Sequence, residues 1–359
     1  MTALVLFVSL ASAQALRELG SRDGANLQAP SWSPDGKKLA YEANYHEKQI
    51  VELYQGDPKT GSFMKVMPAV RPGASAMTSG FGSAAKPGAV VDDLEWSPAS
   101  VGTRFVYAAS NDLQDYDLYL GGGSALAPSP GADGGPRWSP DGRWVVFTSA
   151  RTGQGDLYLL DVQALEQPPR RLSDDPTASE LFPSWSSDSS KIVYVGHSAN
   201  GDNLWLLPNL TEKAVRLTDW DRSQLRPSYA PDGSRVAFYA NHDDVGRFDL
   251  YVVEPRPGAV PTLLAKGVKP NATGPSWTPD SSHIVFVSDD DEKLDPIAAV
   301  RVADPTKVAI LELGTVGNGD LDVAMSDGRV QLAVVAQGKK IDRERSFDRL
   351  FVADLPALP

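Results

Sequence analysis

Pro30-Ser31-Trp32-Ser33-Pro34-Asp35-Gly36 sets the fold, because the phrase keeps returning along the chain. Its anchor tryptophan recurs as Trp96, Trp138, Trp185 and Trp277, with Tyr229 in the same column. The spacings from Trp32 onward are 64, 42, 47, 44 and 48 residues, and a worn copy, Ala324-Met325-Ser326-Asp327-Gly328, follows 47 residues later. A period of about 40–50 residues made of strand and turn is the mark of a β-propeller. After each anchor comes a turn, best kept at Pro34-Asp35-Gly36, Pro140-Asp141-Gly142 and Pro231-Asp232-Gly233. Proline presets φ early in such a turn and glycine accepts positive φ near its end.

Each turn leads into an apolar strand with an aromatic at a fixed place: Tyr41, Tyr107, Phe147, Tyr194, Phe238 and Phe286. The residues around it are apolar without alternation, so both faces of the strand are expected to be buried. A third strand follows a polar loop, at Leu53-Tyr54, Leu118-Tyr119, Leu157-Tyr158, Leu204-Trp205, Leu250-Tyr251 and Leu350-Phe351. A short outer strand completes each repeat. The last repeat lacks one, and Leu16-Arg17-Glu18-Leu19 matches the outer strand Arg170-Arg171-Leu172-Ser173. The expected architecture is all-β: a seven-bladed propeller of four-stranded antiparallel blades, closed by the N-terminal strand. Six blades is the alternative, because Gln331 and Ala333 interrupt the apolar column of the worn repeat.

The phrases Pro30 to Gly36 and Gly155-Asp156-Leu157-Tyr158-Leu159-Leu160 resemble TolB-type propeller repeats, relatives of the WD-repeat class. The resemblance runs over about residues 16–355. It lacks a counterpart for the N-terminal α/β domain that accompanies the TolB propeller. It implies a periplasmic location in a Gram-negative bacterium and binding to an envelope protein or peptide.

Composition narrows the partners. Formal net charge is −12 over 359 residues, which disfavours nucleic acid and anionic membrane surfaces. No apolar run reaches the roughly 18–20 residues that span a bilayer. Residues 1–15 read as a secretory signal peptide, with Leu4 to Leu10 as its apolar core and Ala11-Ser12-Ala13 or Ala13-Gln14-Ala15 as cleavage sites. Residues 16–359 then form one propeller domain with a long flexible loop at 68–91, rich in Gly, Ala, Ser and Pro. With no cysteine, disulfides and thiolate metal sites are excluded.

Repetition supplies a rule for finding the site. A residue type present in every blade serves the blade, and a site lies in what differs between blades. Asp117, Asp156 and Asp249, each before Leu-Tyr, are therefore structural, expected to bond Ser110, Ser149 or a backbone amide. The loops after the second strands differ strongly. They supply the candidate partner-binding set on one channel mouth: Asn44, His46, Asn111, Asp112, Arg151, His197, Asn241, His242, Asp243 and Asp289.

No catalytic residues and no cofactor are assigned. The chain has no Gly-x-Ser-x-Gly elbow of the kind that accompanies propellers in prolyl oligopeptidase-type enzymes. His197 and His242 with Asp243 and Asp244 suggest a transition metal, and Asp289-Asp290-Asp291-Glu292 suggests calcium, but neither matches an established ligand spacing. Oligogalacturonate lyases have repeats that resemble these and a metal site built largely from histidine, of which this chain has four. The reading is a non-catalytic, periplasmic scaffold that binds a protein or peptide. A carbohydrate-active lyase or hydrolase, and a structural subunit of an envelope complex, are the alternatives.

Overall fold

A computed structural model describes residues 4–9, 16–45, 50–66, 90–110, 116–121, 123, 125–290, 294–338 and 348–359. Nearly every regular element is a strand. The first sheet runs Asn26–Trp32, Leu39–Tyr45, Ile50–Asp57, Ser62–Val66, each antiparallel to the next. The same meander recurs from Val90–Trp96 to Ala125–Leu126, from Asp133–Trp138 to Arg170–Arg171, and from Ser179–Trp185 to Val215–Arg216.

A nine-stranded sheet follows, and it consists of two such meanders in succession. Gln224–Tyr229 through Thr262–Lys269 is joined to Ser276–Trp277 through Lys307–Glu312 where Val268 and Lys269 pair with Ser288 and Val287. Its ninth strand is Leu4–Ser9, parallel to Lys307–Glu312. The last sheet is Val316–Ser326, Arg329–Gly338, Arg349–Asp354, with Arg17–Gly20 as its outer strand. Thus the N-terminal strand pairs with the last repeat, as its match to Arg170-Arg171 suggested.

The Ser-Pro-Asp-Gly phrase owes its recurrence to one hydrogen-bonded turn. Ser33 Oγ donates to Asp35 Oδ1 at 2.7 Å and accepts the Lys38 N–H at 2.9 Å. Ser139 with Asp141, Ser186 with Asp188 and Thr278 with Asp280 repeat the contact at 2.5, 2.5 and 2.6 Å. The residue after the aspartate takes positive φ throughout: Gly36 at 64°, Gly142 at 75°, Gly233 at 74°, but also Ser189 at 60° and Ser281 at 61°. The two serines hold a conformation that costs any residue with a Cβ about 1 kcal/mol or more.

Successive sheets bury their faces against one another. Phe147 and Tyr158 of the third sheet pack on Val106 and Leu118 of the second, and Phe238 and Tyr251 pack on Val193 and Leu204. The aromatic column pairs in register with the third-strand tyrosines: Tyr107 and Tyr119 stack at 5.7 Å, Phe238 and Tyr251 at 5.7 Å, Tyr41 and Tyr54 at 5.4 Å. The last sheet shares a core with the first, Ala333, Val335, Leu350 and Val352 lying against Leu27, Trp32 and Leu39. Ala333 is fully buried there, so the position read as an interruption of the column is filled by a small side chain. Gln331 donates its amide to Asp354 Oδ1 at 2.9 Å. Among the described residues no helix is long and apolar enough to cross a membrane.

Candidate functional site: kinked inner strands and a charged channel

The innermost strand of each sheet carries an irregularity. Pairing with the second strand slips between Gln28 and Ser31, Asp92 and Glu95, Gly134 and Arg137, Leu181 and Ser184, and Leu225 and Ser228. Three residues before each anchor the backbone adopts positive φ: Ala29 at 47°, Asp93 at 54°, Gly135 at 57°, Phe182 at 53°, Arg226 at 52° and Gly274 at 99°. A bulge of this kind bends the strand and re-aims one side chain. Non-glycine residues are strained in it, and such strain gathers where function requires a set geometry.

The re-aimed residues meet. Arg226 Nη1 lies 3.5 Å from Asp93 Oδ1, and its guanidinium sits 4.5 Å over the Phe182 ring. Asp93 Oδ2 accepts the Gly135 N–H at 3.0 Å. Asp320 accepts from Ala29 N–H at 2.9 Å and Ala272 N–H at 2.8 Å, tying the first and last sheets to the turn before Ser276–Trp277. Asp322 Oδ2 accepts the Trp32 N–H at 2.7 Å. One residue before the anchor, four repeats have serine (Ser31, Ser184, Ser228, Ser276), whereas two others have Glu95 and Arg137, 3.9 Å apart.

Of these residues, Ser31, Glu95, Arg137, Ser228, Ser276 and Asp322 line a cavity of about 290 Å³, walled by Trp32, Trp96, Trp277 and Tyr229. Glu95 keeps 35% of its side chain accessible and lines this cavity. Enclosure pushes its carboxyl upward against the pull of Arg137. Burial raises Asp322 to about 7 despite its backbone hydrogen bonds, and the Glu95 charge adds to the effect. Carboxyls raised by burial beside a cavity, Asp322 among them at about 7, are the pattern of a functional site.

The sequence-derived residues lie elsewhere. Register sets Asn26 opposite Asn44 at one end of the first sheet and Trp32 opposite Leu39 at the other. Asn44, Arg151, His197, Asn241 and Asp289 all fall at or just past that first end of their second strands. His46, Asn111, Asp112 and nearly all of the 68–91 loop lie outside the described residues. Several of the others already have internal partners. Asn44 Nδ2 donates to Gln28 Oε1 at 3.4 Å. Arg151 pairs with the fully buried Asp133 at 3.1 Å and lies over Phe147 and Tyr158. Asn241, itself buried, accepts the Ser223 N–H at 2.9 Å.

His197 Nδ1 lies 2.5 Å from Asp202 Oδ1 while 61% of the His197 side chain faces solvent. His242 stacks on Trp220 at 4.2 Å. Asp243 pairs with Lys266 at 3.1 Å and Asp289 with Arg247 at 3.7 Å, on the wall of a separate acidic cleft. Among the described residues no three His, Asp or Glu side chains are grouped to hold a metal ion.

Two expectations for the repeated aspartates separate here. Asp249 accepts a backbone amide, Gly267 N–H at 2.8 Å. Asp156 is bonded by Thr152 Oγ1 and by Arg171 at 2.7 Å rather than by Ser149, whose Oγ accepts from Arg151 Nε at 2.7 Å. The channel residues were legible by the same rule that selected the loops. The position three before the anchor varies from blade to blade, and the position one before it departs from serine at Glu95 and Arg137, but their side chains gain meaning only through the bulge.

Residues 171–295 match the family described as the TolB beta propeller domain. The chain carries TolB-like β-propeller repeats. An uncharacterized protein of Agrobacterium fabrum is 27% identical over 257 residues, covering 59% of this chain and 84% of its own length. The Tol-Pal system protein TolB of Francisella tularensis is 30% identical over 83 residues, covering 23% of this chain. That match spans only 18% of the TolB protein's length. Among solved structures, an oligogalacturonate lyase in complex with manganese superposes with a TM-score of 0.61. It is 13% identical, with 99% of this chain and 97% of the lyase covered, so the likeness concerns the fold. TolB-like propellers thus share this architecture with proteins of differing activity.

Proposed function

We propose that the chain is a closed, seven-bladed TolB-like propeller that acts as a periplasmic binding scaffold for a protein or peptide of the cell envelope. Seven blades follow if the nine-stranded sheet counts as two, and closure follows if Arg17–Gly20 holds the last blade to the first. The contacts of Asp320 and Asp322 with the first sheet support both readings. Export rests on the apolar segment within residues 1–15, and periplasmic residence on the TolB-like repeats.

One observation carries the binding role. The inner strands break their own repeat to set Glu95 and Asp322 beside Arg137 in one cavity, with Asp93 paired to Arg226 on the same set of strands. A net acidic cavity suits a basic segment of a partner, because complementary charge steers and orients it. The loop residues Asn44, His46, Asn111, Asp112, Arg151, His197, Asn241, His242, Asp243 and Asp289 form the second contact zone at the far mouth. Of these, His197 and Asp243 keep 61% and 45% of their side chains exposed.

A crosslinking pulldown from envelope extract, read by mass spectrometry, tests this. The parent should enrich one envelope protein, and Glu95→Gln with Asp322→Asn should lose it. No enriched protein, or enrichment indifferent to the channel variants, would sink the channel as the binding surface.

Raised carboxyl pKa values also favour a second reading, a carbohydrate-active enzyme with Glu95 and Asp322 as acid and base. Turnover in an oligosaccharide screen that is abolished by either substitution would select it over the scaffold.

A further inference from the structure

We propose that the outer edge Lys307–Glu312 is a strand-acceptor site that takes an extended, apolar partner segment in parallel register. The proposal is independent of the channel. Three outer strands, Ala125–Leu126, Arg170–Arg171 and Val215–Arg216, have two residues each, whereas Ser62–Val66 has five and Thr262–Lys269 eight. Short edges limit the row of unpaired N–H and C=O groups that recruits foreign strands. Lys307–Glu312 is one of the longer edges, with six residues, Lys-Val-Ala-Ile-Leu-Glu, free of proline and glycine and charged only at its ends. Its inner side is satisfied by Ile297–Arg301, through Ala298 with Ile310, Ala299 with Ala309 and Val300 with Val308. Its outer side is a template for a further strand.

The structure shows what fits. Leu4–Ser9, Leu-Val-Leu-Phe-Val-Ser, pairs along the whole edge from Leu4 opposite Lys307 to Ser9 opposite Glu312. This is the one parallel pairing among the described strands. Every meander step is antiparallel because neighbouring strands are joined by short turns. A parallel strand that enters from some 300 residues away is delivered as a separate segment, which is how β-augmentation by another chain works. The occupant is rich in β-branched and aromatic residues, which suit a pleated edge. It also coincides with the apolar core of the export signal read from the sequence. Processing that removes residues 1–15 would vacate the edge for a partner segment of the same chemistry: about six apolar residues, without proline.

The test uses the full chain. Leu6→Pro with Val8→Pro removes two backbone donors from the occupying strand and leaves the other sheets untouched. The probe is a dye-labelled peptide of sequence Leu-Val-Leu-Phe-Val-Ser, flanked by lysines, with a photoreactive group on its phenylalanine. The double variant should bind it at least tenfold more tightly than the parent. Photocrosslinks should map to Lys307–Glu312, and N-methylation of alternate peptide amides should abolish binding. Equal binding by parent and variant, or crosslinks elsewhere, would overturn the proposal. So would a dimer of the variant that excludes the peptide, since the occupant would then be a second copy. A second measurement covers failure of the variant to fold. The chain has no cysteine, so Leu6→Cys with Ala309→Cys reports the register by thiol crosslinking. No crosslink there would also refute the acceptor edge.

Discussion

Asp93 and Arg226 stand 133 residues apart in the chain and bring Oδ1 and Nη1 to 3.5 Å. They come from the inner strands of the second and fifth repeats, and both hold positive φ, at 54° and 52°. A strained backbone at both partners of one ion pair ties the bulges to the channel charge. In a double-mutant cycle of Asp93→Ala and Arg226→Ala, the coupling should be about 1 kcal/mol by urea unfolding. Coupling near zero would mean that the two charges are only near neighbours.

Stability should depend on pH through Asp322. Its carboxyl is raised from the ordinary 3.8 to about 7 by burial, so the folded state favours the neutral form. The stabilisation is full below about pH 4 and is lost as pH rises through 7. Glu95 is shifted the same way. Asp322→Asn should flatten this dependence, gaining roughly 1–3 kcal/mol on the parent between pH 4 and pH 8. Parallel pH profiles for parent and variant would show that Asp322 titrates normally.

Arg151 should matter to the fold whether or not it meets a partner. It neutralises Asp133, whose side chain is wholly buried, and covers two aromatic rings. Arg151→Ala should cost about 3 kcal/mol, since it leaves a buried carboxylate unpaired. Arg151→Ala with Asp133→Asn should recover part of that loss. A thermal melt of Arg151→Ala that matches the parent would mark the residue as free for binding.

The aromatic column should dominate the core energetics. Phe147 and Phe238 are buried between sheets and stack on Tyr158 and Tyr251. Truncation of either ring to alanine should cost roughly 3–5 kcal/mol and lower Tm accordingly. A loss below about 1 kcal/mol would contradict tight packing between sheets.

The junction of first and last sheets is open to a direct test at Gly36. Its φ is 64°, and a Cβ there would sit 2.1 Å from the Met325 carbonyl oxygen of the last sheet. Ser326 Oγ donates to the Gly36 carbonyl at 2.7 Å. Gly36→Ala should destabilise by at least about 2 kcal/mol, and deletion of residues 16–20 should lower Tm by a similar route. If both variants melt with the parent, the two sheets are not held together and a closed ring is wrong.

The repeat was readable because blade chemistry is local. A turn that needs Pro-Asp-Gly, a strand buried on both faces and an aromatic between sheets each leave a mark within about ten residues, and the marks return at a fixed period. By itself the sequence therefore determined the strand order, the buried column through Tyr107, Phe147 and Phe238, and the pairing of Arg17–Gly20 with the last repeat. Tertiary structure alone decided which variable residues face one another. Asp93 and Arg226, Glu95 and Arg137, and Asp322 and Trp32 belong to different sheets, and nothing within either repeat records its partner. Their meeting depends on bulges that turn side chains inward, and on sheet-to-sheet packing that sets the width of the channel. The same holds for Leu4–Ser9, whose apolar sequence marks it for burial but does not name the edge it covers.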